Sequence, residues 1–131
     1  MTRRIVLGLE DGADRTAAMR RVVAELDGYE LVVFMTAAEC NAWLAEHADE
    51  IALLSLDFHL GPAARVGSGL DVARIVATRT PSFPVILHTS DGTGAMAMRE
   101  VLVAGGWQIA RLIFNEGEWR RTARRLLGVD V

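Results

Sequence analysis

Five short apolar runs alternate with five longer stretches of helical period, and this alternation constrains the fold more than any other feature of the chain. The runs at residues 4–9, 29–34, 51–56, 83–88 and 109–114 are rich in Val, Ile and Leu and bounded by Gly, Pro, Asp or Asn, the pattern of short buried strands. Residues 14–26 place Ala17, Met19, Val22, Val23 and Leu26 on one side and arginines on the other. Residues 36–47 open with Thr36 and Glu39 at capping-box spacing, and Ser68 with Asp71 opens the next helix in the same way. Residues 94–104 and 118–127 complete the series. Each helix must return over the sheet by a right-handed crossover. The economical solution is one α/β domain over residues 1–131, a (βα)5 flavodoxin-like fold whose five-stranded parallel sheet has the order 2-1-3-4-5 with helices on both faces.

A chain of 131 residues that is 51% hydrophobic can bury a single core without disulfides or a structural metal. The lone Cys40 reads as a small packing residue in a reducing compartment. No apolar run approaches the roughly 20 residues that span a bilayer, and the N-terminus lacks the apolar stretch of a secretory signal. A cytoplasmic location and no membrane partner are therefore expected. The net charge of −3 gives no electrostatic reason to bind duplex nucleic acid, although a nucleic-acid end can still enter as a substrate. All the formal positive side-chain charge is arginine, because the chain contains no lysine.

In an open parallel sheet the carboxyl ends of the strands share one rim, and ligands bind there at the point where the strand order reverses. Glu10 and Asp11 follow the first apolar run, Asp57 the third, and His88, Thr89 and Ser90 end or follow the fourth. Three carboxylates ionised side by side repel one another, and a hard divalent cation removes the conflict. Mg²⁺ is the expected ion, with Mn²⁺ or another divalent cation as a substitute. The bland alternative has Asp11 capping a helix and Glu10 solvated. Small residues from Thr89 to Gly94 lead into a helix, where backbone amides favour an anion, so Thr89 and Ser90 are candidate phosphate contacts. The longest irregular segment, about residues 58–68, begins directly after Asp57 and reads equally as a lid or a passive connection.

With these elements placed, the chain resembles a response-regulator receiver domain over nearly its whole length. The resemblance is carried by Leu9, Glu10 and Asp11, by Leu56 and Asp57 followed by Leu60 and Gly61, by the helix start at Gly69, Leu70 and Asp71, and by Thr89. It implies that the acidic pair and Asp57 hold Mg²⁺, that Asp57 accepts a phosphoryl group, and that a histidine kinase or other signalling protein is a partner. A receiver's lysine after the fifth strand has no counterpart, since the run ARLIF ends at Asn115. A narrower match is to the cyclic-phosphate processing receiver domains. The stretch HTSDGTGAMAM is similar to that family's H-S-x-N-x-x-G-A-x-x-M, and SLDFHLG to its S-L-D-x-D-L-G. The matching positions are Ser55, Leu56, Asp57, Leu60, Gly61, His88, Thr89, Asp91, Gly94, Ala95 and Met98; His59 stands for an aspartate and Asp91 for an asparagine. This resemblance implies processing or binding of cyclic-phosphate or phosphate-ended nucleotides, by a metal-dependent phosphoesterase or by a phosphate-binding receiver variant.

Asp57 then has two functional readings: nucleophile forming an acyl phosphate, or metal ligand beside an attacking water. The missing lysine weakens the first, because a fixed cation near the phosphoryl group is lost. His88 suits general acid or base work in phosphodiester opening, against the alternative of a buried histidine bonded to backbone. His59 is either an imidazole ligand favouring a transition metal or a loop residue. With Asp91 and Asn115 it is kept as an accessory candidate. Trp43, Trp107 and Trp119 read as packing residues rather than stacking platforms. Arg15 reads as a solvated charge, with pairing to Asp14 or contact with a phosphate as alternatives. Arg120, Arg121, Arg124 and Arg125 form a solvated basic face. A degenerate receiver acting as an interaction module is the remaining alternative.

Overall fold

The computed structural model describes residues 3–61 and 67–129. Five strands, β1 (Arg4–Leu9), β2 (Tyr29–Phe34), β3 (Ile51–Leu56), β4 (Val85–His88) and β5 (Ile109–Leu112), form one parallel sheet in the order β2-β1-β3-β4-β5. Helices α1 (Ala13–Ala24), α2 (Ala37–His47), α3 (Gly69–Ala77), α4 (Gly92–Ala104) and α5 (Glu116–Leu127) connect and flank the strands. Among the described residues no helix is long and apolar enough to cross a membrane.

The period-two alternation of β1 divides the core. Ile5, Leu7 and Leu9 pack with Cys40 and Leu44 of α2, Val72 and Val76 of α3, and Met98 and Leu102 of α4. Val6 faces the other way, toward Met19, Val22 and Val23 of α1 and Trp119 and Ala123 of α5. Trp119 and Trp107 are buried in these layers and Cys40 is fully buried, its thiol pushed up to about 12 by desolvation, which suits a packing role.

Departures from the expected bounds have local causes. β4 begins two residues late, after Pro84, which has no amide to give the ladder. β5 stops at Leu112, the partner of the last β4 residue, His88, so nothing remains for Ile113 and Phe114 to pair with. α4 and α5 begin two residues early because Asp91 and Asn115 cap them: Asp91 Oδ1 accepts from Gly94 N at 2.8 Å and Asn115 Oδ1 from Glu118 N at 3.1 Å. The α3 start follows expectation, with Ser68 Oγ accepting from Leu70 N and Asp71 Oδ2 from Ser68 N.

The backbone pairing runs on past the strands to the rim. Glu10 N donates to Phe34 O and Asp57 N to Leu9 O, both at 3.0 Å, so the two acidic segments are held in register. α3 then closes tightly on the segment after β3: Gly69 N donates to Phe58 O, and a Cβ at Gly69 would lie 2.0 Å from the Asp57 carbonyl oxygen. Gly69→Ala therefore forces α3 away from Asp57 and is expected to cost about 1–3 kcal/mol. Urea unfolding of the two proteins checks this; an unchanged midpoint contradicts the close approach.

Candidate metal and phosphate site

A cavity of about 390 Å³ opens at the carboxyl rim, lined by Asp11, Arg15, Asp57, His59, Gly61, His88, Thr89, Ser90, Ile113 and Phe114. It draws on four strand ends, as the topology requires. Residues expected at one rim from distant parts of the sequence do converge here.

The carboxylates lie at two depths. Asp57 is 7% exposed and lines the cavity; its Oδ1 accepts from Phe58 N at 2.8 Å, while Oδ2 makes no hydrogen bond among the described residues. Asp11 is half-buried and lines the same wall. Glu10 lies beneath them, fully buried, with both oxygens taken. Oε1 accepts from His88 Nε2 at 2.8 Å, and Oε2 accepts from Gly12 N at 2.7 Å and Arg15 Nη2 at 2.9 Å.

Burial acts to raise the Glu10 pKa, but donation from His88, Arg15 and the Gly12 amide outweighs it and holds the carboxyl at about 2. Asp57 has one such donor, the Phe58 amide, and no hydrogen-bonded side-chain cation among the described residues. Its burial, together with the negative charge of Glu10, raises its pKa above the usual aspartate value. The rim thus presents one firmly ionised carboxylate below and one electrostatically unfavourable carboxylate above.

His88 is 2% exposed and both of its ring nitrogens are engaged. Ionised Glu10 can only accept, so Nε2 carries a proton. On the other side of the ring Nδ1 lies 2.6 Å from Ser55 Oγ, which itself accepts from Trp119 Nε1 at 2.9 Å. In a neutral imidazole the Ser55 hydroxyl then donates to Nδ1. A continuous buried chain runs from Trp119 through Ser55 and His88 to Glu10, and each member has a partner.

One ligand atom each from Glu10, Asp57 and His88 lie within 4.8 Å of one another, a spacing that fits a metal ion. His88 Nε2 is a proton donor in that arrangement, not a lone-pair ligand. The oxygen donors that face the cavity are those of Asp57 and Asp11, a donor type and number suited to Mg²⁺ or Mn²⁺, which also keep waters and phosphate oxygens in their shells.

The phosphate candidates lie beside this set. Thr89 is buried, and its Oγ1 accepts from Asp91 N at 3.1 Å, which leaves the hydroxyl proton for another acceptor; Ser90 is exposed at the mouth. His59 is 68% exposed, and its Nε2 pairs with Asp91 Oδ2 at 2.5 Å, joining the segment after β3 to the α4 cap. The Asp91 pKa is lowered, chiefly by the Gly94 amide and then by His59. Asn115 caps α5 and does not line the cavity; Ile113 and Phe114 do so from the β5 side. Residues 62–66 of the segment expected to serve as lid or connection lie outside the described residues.

Three participants carry a signal that sequence reasoning did not use. Ser55 is a hydroxyl inside the apolar strand IALLSL, and a buried hydroxyl needs a partner. Trp119 reads as packing, yet a buried indole N–H needs an acceptor. Arg15 is not a solvated charge: its guanidinium turns back onto Glu10, and its i,i+4 spacing from Asp11 was the clue.

A family model described as the cyclic-phosphate processing receiver domain matches residues 6–104. No curated protein matches the chain significantly. Among solved structures, a response regulator receiver protein from Burkholderia phymatum is 25% identical with a TM-score of 0.67, covering 98% of each chain. A CheY-like receiver domain protein from Methanospirillum hungatei JF-1 is 16% identical with a TM-score of 0.71, covering 98% of this chain and 95% of its own. The Mn²⁺-bound form of response regulator Rcp1 is 16% identical with a TM-score of 0.63, covering 92% and 89%.

Proposed function

The chain belongs to the cyclic-phosphate processing receiver domain family, and from that premise we propose that its rim binds a divalent cation and a phosphate group and processes cyclic-phosphate or phosphate-ended nucleotides. The observation that carries this reading is the single cavity lined by Asp11 and Asp57 together with Thr89 and Ser90. Asp11 and Asp57 hold the ion, Mg²⁺ or Mn²⁺, and Glu10 completes the negative field beneath. When bound, the ion neutralises phosphoryl charge and acidifies a water. Thr89 donates its hydroxyl proton to a phosphate oxygen, and Ser90 and the amides at the α4 start contact the outer oxygens. His88 acts through Glu10, as a positioning residue: it fixes the carboxylate that sets the field at Asp57. To move a proton to a ligand itself, His88 must first give up one of its two bonds.

In ring opening, a water oxygen bonds to phosphorus, one ester oxygen leaves, and the proton lost by water ends on that oxygen. Phosphorus NMR of a nucleoside cyclic phosphate incubated with the protein tests this step. The monoester is expected to form with Mn²⁺, to stop on chelation, and to be absent with Asp57→Asn. No monoester with the native protein and Mn²⁺ overturns the processing reading.

The unbonded Asp57 Oδ2 favours a second reading, in which that oxygen takes a phosphoryl group from a histidine kinase or other donor. Intact-mass analysis after incubation with acetyl phosphate and Mg²⁺ separates the two: gain of a phosphoryl group, lost in Asp57→Asn, supports the signalling role.

A further inference from the structure

We propose that Arg15 is a built-in cation of the acidic rim, one that competes with the divalent ion for the same carboxylates and sets how strongly the site binds it. The inference rests on the cation reading above and assigns a residue that reading did not use. Arg15 Nη2 lies 2.9 Å from Glu10 Oε2 and 4.0 Å from both Asp11 Oδ1 and Asp57 Oδ2. One guanidinium nitrogen therefore stands among all three carboxylates. Among the described residues it belongs to the one arginine that lines the cavity.

Its place is shaped by the backbone. A Cβ at Gly12 would lie 2.6 Å from Arg15 Nη2 and 2.8 Å from Cζ, so the guanidinium occupies the space beside Gly12 that any larger residue there would take from it. Gly12 has φ −82° and ψ 124°, an extended conformation open to any residue, so conformational freedom gives no reason for glycine there. The space does. The Arg15 side chain is 44% exposed, which gives the guanidinium an outward path when an ion enters.

The charges define the competition. A guanidinium about 4 Å from the ligand oxygens neutralises part of the field that attracts a dication, and it repels the dication directly. Ion entry exchanges Arg15 for the metal, and the arginine swings outward on its flexible stem. An arginine is always charged, so the competition is present at every working pH.

Calorimetric titration of Mn²⁺ into the native chain, Arg15→Gln and Gly12→Ala tests this, with far-UV circular dichroism confirming that each is folded. Arg15→Gln removes the charge; Gly12→Ala keeps it and pushes it off the carboxylates. Both are expected to bind Mn²⁺ more tightly, Arg15→Gln by about tenfold or more. Equal or weaker binding by Arg15→Gln overturns the competition while leaving the cation site standing. No binding by any of the three proteins, with Asp57→Asn as a blank, overturns the cation reading and this inference with it.

Discussion

Replacing His88 with alanine is expected to destabilise the fold by about 3 kcal/mol at neutral pH, because it strips a buried carboxylate of its principal donor and leaves the buried Ser55 hydroxyl without an acceptor for its proton. The pH dependence identifies the cause. In the native fold Glu10 titrates at about 2, against 4.5 for an ordinary glutamate. A carboxyl with a depressed folded pKa contributes stability that is fully present above the unfolded value and is lost as pH falls through the folded one. The native protein should therefore lose stability between about pH 4.5 and 2 with a slope that His88→Ala flattens. Urea midpoints across that range check the claim. Parallel native and variant curves would show that His88 does not act through Glu10.

Asp57→Asn should have opposite effects on stability and on binding. The Asp57 pKa is raised in the fold, first by burial and then by Glu10, so its ionised form costs stability above that pKa and the cost vanishes as pH falls through it. Asparagine removes the charge at every pH. In the presence of chelator the variant is expected to be more stable than native by ~1 kcal/mol, a rise of a few degrees in Tm. With Mn²⁺ the order reverses. An ion at about a hundred times its Kd adds about 2.7 kcal/mol to the native fold and nothing to a variant that has lost the site. Thermal unfolding with and without Mn²⁺ measures both arms. A variant less stable than native in chelator would show that the carboxylate is structural, not a strained ligand.

Both effects come from one arrangement. The sheet brings two acidic segments into register, the buried chain from Trp119 fixes Glu10 as an anion, and that fixed charge disfavours ionised Asp57 unless a cation is near. Arginine supplies part of the compensation and leaves the rest for an ion. The lack of lysine in the chain and the apolar Ile113 and Phe114 at the β5 end of the cavity leave Arg15 as the cationic side chain placed for this task among the described residues.

The carboxyl ends of the first four strands were legible because alternation and topology decide them. β1, β2 and β3 have the expected bounds, and the order 2-1-3-4-5 follows from the crossovers. Convergence of Asp11, Asp57 and Thr89 on one cavity follows from the same rule. What sequence period does not carry is the direction of a side chain at the rim. Glu10 and Asp11 are neighbours, yet one turns into the core to meet His88 and the other faces the cavity. Adjacent residues at a strand end point to opposite sides, and which side holds the ligand depends on packing from α1 and α5. The same limit hid Arg15: the sequence offered solvent, Asp14 or a phosphate, whereas the guanidinium turns over Gly12 onto Glu10.

The most direct test of the rim as a cation site is calorimetric titration of Mg²⁺ and Mn²⁺ into the native protein, Asp11→Asn and Asp57→Asn. Saturable binding to the native chain that is lost in both variants is the predicted result. No heat with the native protein, or native-like binding by both variants, would contradict it.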